Sequence, residues 1–114
     1  MESVVRHKPT IDEVFQDDPL IKVLSRNDDE GLYKVLLGDI ETIITIKLEF
    51  KDGWFRFFRD YNVSTPNQAG VYYGSRNAFA SPALALAEAL AGLTTFYEIA
   101  IDDGHQPNEK WLVG

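Results

Sequence analysis

The chain has no cysteine, only two histidines, and no apolar run near the roughly 20 residues that a membrane helix needs. Without cysteine there is no disulfide framework and no thiolate metal site. The first eight residues lack the hydrophobic stretch of a secretory signal peptide, so we expect a cytoplasmic protein with no membrane partner. Basic residues are also scarce, with 11 lysines and arginines against 18 acidic residues and a net charge of −7. A charge of this sign opposes nonspecific binding to nucleic acid.

Catalytic and metal-binding patterns are missing as well. The sequence has no G-x-S-x-G, no phosphate-binding glycine loop and no H-E-x-x-H. His7 and His105 lie in opposite terminal segments, and neither has a recognisable partner for acid–base chemistry. The run from Asp102 to His105 has neither the spaced oxygens of a calcium site nor the nitrogens of a zinc site, so it indicates a turn, as does Asp28-Asp29-Glu30. We therefore predict no catalytic residue, no metal site and no cofactor, and a non-enzymatic protein.

The strongest positive signal is a run of alternating residues from Ile40 to Phe50, which predicts a β-strand. Asp52-Gly53 follows it and is typical of a two-residue type I′ hairpin turn. Such a turn sets the register, so that Lys51 should face Trp54. Going back along the first strand, Phe50 should then face Phe55, and Glu49 should face Arg56. The whole stretch from residue 31 to residue 61 therefore predicts three antiparallel strands.

A second tight turn at Gly38-Asp39 would pair Val35 with Thr42 and Tyr33 with Ile44. One face of the sheet then carries the core residues: Tyr33, Val35, Leu37, Ile40, Ile44, Ile46, Leu48, Phe50, Phe55 and Phe57. Arg59 would also fall on this face, opposite Ile46, so we expect the third strand to bulge or end there.

Helices are predicted on both sides of the sheet. Thr10 and Glu13 form a capping box for a short helix at 11–17, and Asp18-Pro19 indicates a second helix at 19–26. Ser81-Pro82 starts an Ala/Leu-rich helix. Residues 93–101 could be a separate strand after Gly92, but the apolar stripe keeps helical phase across that glycine, which favours one continuous helix.

The predicted fold is a single α+β domain over residues 1–114, with a flexible arm at 1–9 and a C-terminal tail at 105–114 pinned by Trp111 and Leu112. It has two layers: a three- or four-stranded antiparallel β-meander packed against the C-terminal Ala/Leu-rich helix, with short N-terminal helices. A short segment at 71–73 is the candidate fourth strand.

The second face of this sheet is the only candidate site. The same register gives it these residues: Leu32, Lys34, Leu36, Glu41, Ile43, Thr45, Lys47, Glu49, Trp54, Arg56, Phe58 and Asp60. A face that stays in water normally alternates to polar residues, and this one has too many large apolar groups. The predicted partner-binding residues are Trp54, Arg56, Phe58, Ile43 and Leu36.

Three covers for this face remain open. In the first, the N-terminal helices lie on it through these residues: Val14, Phe15, Leu20 and Leu24. In the second, a protein partner or a second copy of the chain binds it. In the third, single-stranded nucleic acid stacks on it. The last cover would use these residues: Trp54, Phe58, Tyr72, Tyr73, Arg56, Arg59 and Arg76. The acidic flanks make nucleic acid the least expected of the three. The sequence thus favours a small interaction or regulatory module, one form of which is a homodimer through this face, over a ligand- or nucleic-acid-binding domain or an acidic inhibitor that mimics nucleic acid.

Overall fold

A computed structural model describes residues 8–70 and 77–114 of the chain. The elements, in chain order, are α1 (Ile11–Gln16), β1 (Ile21–Asn27), β2 (Leu32–Leu37), β3 (Ile44–Lys51), β4 (Trp54–Arg59), β5 (Asn62–Val63), α2 (Pro82–Asp102) and β6 (Leu112–Val113). β1 to β4 form an antiparallel meander in sequence order, and β5 pairs with β6 in a small second sheet. α2 packs on one face of the meander, against β3 and β4, and α1 packs against α2. This is the predicted two-layer α+β fold.

The hairpin between β3 and β4 is confirmed in full. Asp52 and Gly53 both have positive φ, +54° and +83°, as a type I′ turn requires. All six predicted pairs occur, from Lys51 opposite Trp54 to Ile46 opposite Arg59. β4 ends at Arg59, as predicted from the placement of an arginine on the core face.

The predicted register between β2 and β3 is a correction. Val35 pairs with Ile44 and Tyr33 with Ile46, two residues beyond the predicted partners. A turn does close at Gly38-Asp39, since the N–H of Ile40 donates to the carbonyl of Leu37 at 3.0 Å, but pairing with β2 resumes only at Ile44, so the connection is longer than two residues. A shift of two residues keeps the parity of the strand, so both faces keep their predicted members.

β1 is a second correction, because residues 19–26 were predicted to be helical. Asp18-Pro19 begins a turn in which the N–H of Ile21 donates to the carbonyl of Asp18, at 3.1 Å. The chain then pairs with β2, and Ile21 is buried opposite Leu37. The register shifts between Val23 and Ser25, which places a bulge in this edge strand. The fourth strand of the meander is therefore β1, and the candidate at 71–73 lies outside the described residues.

The helix predictions hold elsewhere. The N–H of Glu13 donates to the Thr10 hydroxyl at 3.2 Å, which caps α1, and the N–H of Leu84 donates to the Ser81 hydroxyl at 3.2 Å, which caps α2. α2 runs without interruption through Gly92, as the stripe of apolar residues predicted.

The core lies between α2 and the meander. Its largest fully buried side chains are Tyr33, Val35, Leu37, Ile44, Ile46, Leu86, Leu90, Leu93 and Val63. Phe50, predicted to be in the core, is 63% exposed, because it lies at the turn end of β3; its ring contacts that of Phe55, at 4.8 Å between centroids. Trp111 and Leu112 are buried, so the C-terminal segment is pinned as predicted.

α2 is the one helix in the described ranges that is long and apolar enough to cross a membrane, judged by length and composition alone. Half of its most apolar window is buried inside the protein, and the core helix of a globular protein meets the same criterion.

Candidate functional site

The outer face of the meander is the side that points away from α2. It carries the residues that alternate with the core positions: Lys22, Ser25, Asn27, Leu32, Lys34, Leu36, Thr45, Lys47, Glu49, Lys51, Trp54, Arg56 and Phe58. Ile43 immediately precedes β3 and is exposed, whereas Ile44 beside it is fully buried. All five predicted partner-binding residues thus belong to this surface or its border.

The large apolar groups of the outer face are open to solvent. Trp54 is 46% exposed, Phe58 48% and Ile43 49%, whereas Leu36 is half-buried. Arg56 is exposed and lies between Trp54 and Phe58 along β4. The structure therefore places the predicted residues on one side of the sheet, with Trp54, Arg56 and Phe58 on β4 and Leu36 on β2.

The N-terminal segment does not supply the cover that the sequence left open. Val14 is in the core cluster, and Phe15 contacts Tyr33 on the core side of the sheet, at 5.6 Å between ring centroids. Leu20 packs at the edge of the same core. The described part of this segment therefore lies on the α2 side, which corrects the alternative that placed it over the outer face.

β4 is held on both of its edges. β3 pairs with one edge, and on the other the backbone of Phe55 exchanges two hydrogen bonds with Phe79, at 2.8 and 2.9 Å. The side-chain amide of Asn77 continues this edge by donating to the carbonyl of Phe57 and accepting from its N–H, at 3.0 and 2.9 Å. The backbone that presents the exposed aromatic residues is therefore fixed by its own hydrogen bonds.

Arg59 anchors the end of β4 beneath the sheet. Its guanidinium donates to the carbonyl of Ala89 on α2 at 2.7 Å and to the side chain of Asn62 at 2.9 Å. It also lies over the ring of Phe57, 5.1 Å from the centroid. Arg59 thus faces the core side and cannot join Arg56 on the outer face.

The outer face is also rich in charge. The ammonium of Lys47 lies 3.0 Å from a carboxylate oxygen of Glu49, and Glu49 pairs across the strands with Arg56. The sequence interpretation missed Lys22, because it assigned β1 as a helix, and it did not count Lys51. The predicted pairing of Lys51 with Trp54 was the signal that could have placed Lys51 on this face.

A second group of charges ties α1 to the sheet. Arg26 donates two hydrogen bonds to Asp28, both at 2.8 Å, and its guanidinium lies 2.6 Å from Asp12. The hydroxyl of Tyr33 also donates to Asp28, at 3.0 Å. The hydrogen bonds from Arg26 lower the pKa of Asp28, and burial raises the pKa of Tyr33. Residues 28–30 form a turn as predicted, but Asp28 has a structural role that the sequence did not show.

Comparisons of the chain with protein-family models, with curated proteins and with solved structures give no match. The outer face is therefore interpreted from its own geometry.

A cleft of about 400 Å³ lies on the other side of the molecule, at the C-terminal end of α2. Leu20, Tyr97 and Ile101 form its apolar wall, and the Tyr97 hydroxyl accepts a hydrogen bond from the N–H of Asp39, at 3.1 Å. His105 lines it, and no hydrogen bond joins its imidazole to a carboxylate in the described ranges. Over those same residues, no three histidine or acidic side chains come together as a metal site.

Proposed function

We propose that this protein is a small non-enzymatic interaction module that binds another protein through the outer face of its sheet. The observation that carries the proposal is the asymmetry of the sheet. α2 and α1 cover one face, whereas the other presents Trp54, Phe58 and Ile43 about half exposed. Clusters of exposed apolar residues with a polar surround are typical of interaction sites.

The amount of apolar surface involved supports this proposal. At half exposure each of these three side chains leaves on the order of 100 Å² in water, given what aromatic side chains bury when fully covered. Covering about 300 Å² would be favourable by about 7 kcal/mol at ~25 cal/mol per Å². Association itself costs translational and rotational freedom, so this gain favours the binding of a partner without setting its affinity.

The residue types on β4 support the same proposal. Tryptophan and arginine dominate the binding energy of protein interfaces, and here Trp54 and Arg56 are two positions apart on the same side of one strand. Because β4 is hydrogen-bonded on both edges, these side chains are presented on a backbone that need not reorganise.

Site-specific photo-cross-linking in the native cell tests the proposal. A photo-reactive phenylalanine analogue replaces Phe58, and the matched control places the same analogue at Ile99 of α2, which is 44% exposed. We expect a discrete protein adduct from position 58 that disappears when Trp54→Ala is added. The purified partner should then bind Trp54→Ala at least about tenfold more weakly than the native chain, since loss of an anchor costs about 2 kcal/mol and tenfold corresponds to about 1.4 kcal/mol.

The Ile99→Ala variant is the control for the binding measurement, because it removes an equally exposed apolar group from a different surface. The proposal fails if position 58 gives no adduct, or if positions 58 and 99 give the same adducts. It also fails if Trp54→Ala binds the purified partner as tightly as the native chain does.

A further inference from the structure

The charge of the outer face is opposite in sign to the charge of the whole protein. Five of the 11 basic residues lie on this face, and all are exposed: Lys22, Lys34, Lys47, Lys51 and Arg56. Glu49 is its only acidic strand residue in the described ranges, and Glu41 and Asp60 lie at its border. The rest of the sequence therefore holds 15 of the 18 acidic residues and only six bases.

The register places these bases beside the apolar groups. Lys51 is the cross-strand partner of Trp54, and Lys47 is the partner of Phe58. Lys22 is likewise the partner of Leu36 at the opposite end of the sheet. Partners of this kind have Cβ atoms about 5 Å apart on the same face, so Trp54, Phe58 and Leu36 each have a positive charge as a neighbour.

On the basis of the function proposed above, we propose that the partner is an acidic protein segment whose carboxylates alternate with large apolar side chains. The apolar side chains cover Trp54, Phe58 and Ile43, and the carboxylates lie against the neighbouring lysines. From Ile43 to Lys51 the face is about 27 Å long, at ~3.4 Å per strand residue. A helix that follows it along its full length has about 18 residues, at 1.5 Å per residue.

A second copy of this chain fits the outer face less well than an acidic segment does. Two outer faces placed against each other would bring together two surfaces that each have more bases than acids, and like charges across an interface oppose association. Only Glu49 could offset them from within the strands of each copy.

Single-stranded nucleic acid also fits less well. Trp54 and Phe58 could stack on bases, but Leu36 and Ile43 at the other end of the face offer no aromatic ring. An acidic protein segment uses both the aliphatic and the aromatic parts of the surface.

Selection from an unbiased display library of random peptides about 18 residues long tests the inference, with the full-length protein as bait. A parallel selection uses Trp54→Ala/Phe58→Ala as bait, and peptides that bind both are discarded. We expect the remaining peptides to carry about three or more acidic residues in excess of basic ones, with tryptophan, phenylalanine or leucine between them. The double substitution Lys47→Glu/Lys51→Glu should weaken a selected peptide at least about tenfold.

Lys110→Glu is the matched control, because Lys110 is exposed but lies outside the outer face, and it should change the affinity less than about twofold. Trp54-dependent peptides with no net negative charge would overturn the acidic partner and leave the proposed function standing. If no peptide depends on Trp54 and Phe58, the proposed function itself is overturned.

Two further measurements separate the other occupants. An oligothymidylate that binds the native chain more tightly than the selected peptides, and loses binding with Trp54→Ala, would overturn a protein partner in favour of nucleic acid. A native chain that forms a micromolar dimer, and becomes monomeric with Trp54→Ala, would overturn it in favour of a second copy. We expect a monomer in sedimentation equilibrium and no binding of the oligonucleotide beyond that of Trp54→Ala.

Discussion

At Gly92, replacement by alanine should destabilise the protein, although the same replacement usually stabilises a helix. Alanine is favoured over glycine by about 1 kcal/mol inside a helix, so Gly92→Ala in α2 would stabilise an isolated helix. In this protein, a Cβ at position 92 would lie 2.5 Å from Nη1 of Arg59 and 3.2 Å from Nη2. The guanidinium would have to move away from α2.

The cost of that movement follows from the contacts of Arg59. Its hydrogen bond to the carbonyl of Ala89, at 2.7 Å, involves a charged donor, and such bonds contribute about 1.5–3 kcal/mol. Displacement also disturbs the hydrogen bond to Asn62. After the gain in helix propensity is subtracted, we expect Gly92→Ala to lower the free energy of unfolding by about 1 kcal/mol and the Tm by about 5 °C.

Urea unfolding followed by circular dichroism measures this change, and a double-mutant cycle with Arg59→Met isolates its cause. Methionine has no guanidinium to meet the new methyl group, so Gly92→Ala should stabilise the Arg59→Met protein by about 1 kcal/mol. The reasoning is refuted if Gly92→Ala stabilises the native chain, or if its effect is the same in both backgrounds.

Four other substitutions test the loops and charges around the core. Burial raises the pKa of Asp18, so the folded protein binds this proton more tightly than the unfolded chain, and stability falls as pH rises through the folded pKa. Asp18→Asn should therefore raise the urea midpoint at pH 7, and the difference in midpoint from the native chain should disappear in acid. Hydrogen bonds from Arg26 lower the pKa of Asp28, so the ionised Asp28 stabilises the fold above its ordinary pKa of 3.8. As the pH falls below about 4, the Asp28→Asn variant should therefore lose less stability than the native chain does. Gly38→Ala should cost more than about 2 kcal/mol of stability, because Gly38 has a φ of +52° and a core side chain occupies the space of its Cβ. Gly53→Ala should cost about 1 kcal/mol, because the space around its Cβ is open. Thermal melting measures both losses, and equal losses at the two glycines would contradict this account.

The parts of the fold that depend on neighbouring residues could be predicted from the sequence. The Asp52-Gly53 turn needs only two residues that tolerate positive φ, and once it closes it determines every pair down to Arg59. The cap at Ser81 is equally local, because its hydroxyl accepts from an N–H three residues later. These elements were predicted correctly because no distant contact competes with them.

The parts that depend on distant contacts were the ones predicted wrongly. The apolar residues of 19–26 fit a short helix or a strand equally well, and pairing with β2 decides in favour of the strand. A turn forms after Leu37 as predicted, but pairing with β2 resumes only at Ile44. Gly38 and Asp39 bond to Leu20 and Tyr97, which lie far along the chain. Local sequence carries no signal for partners that lie so far along the chain.

The candidate site divides in the same way. The outward direction of Trp54 and Phe58 follows from the hairpin register, so it could be predicted. The position of α1 away from the outer face could not be predicted, because it depends on how Val14 and Phe15 pack into the core. The position of Lys22 beside Leu36 could not be predicted either, because β1 was misassigned as a helix. The number of basic residues on the face was therefore underestimated.

The restraints on β4 determine how a loss of binding should be interpreted. Its register is closed by Asp52-Gly53 at one end and anchored by Arg59 to α2 at the other, and Phe79 and Asn77 occupy its outer edge. A slip by one residue would break all of these contacts together, so the outer face keeps its orientation before any partner arrives. The ordering cost on this side of an interface is then limited to side-chain rotamers, at about 0.5–1.5 kcal/mol for each large one. Trp54 and Phe58 are 46% and 48% exposed, so truncation of either also removes contacts within the protein and should lower the unfolding free energy by about 1 kcal/mol. The backbone restraints stay in place, so a variant that loses binding should still be folded with the native register of β4.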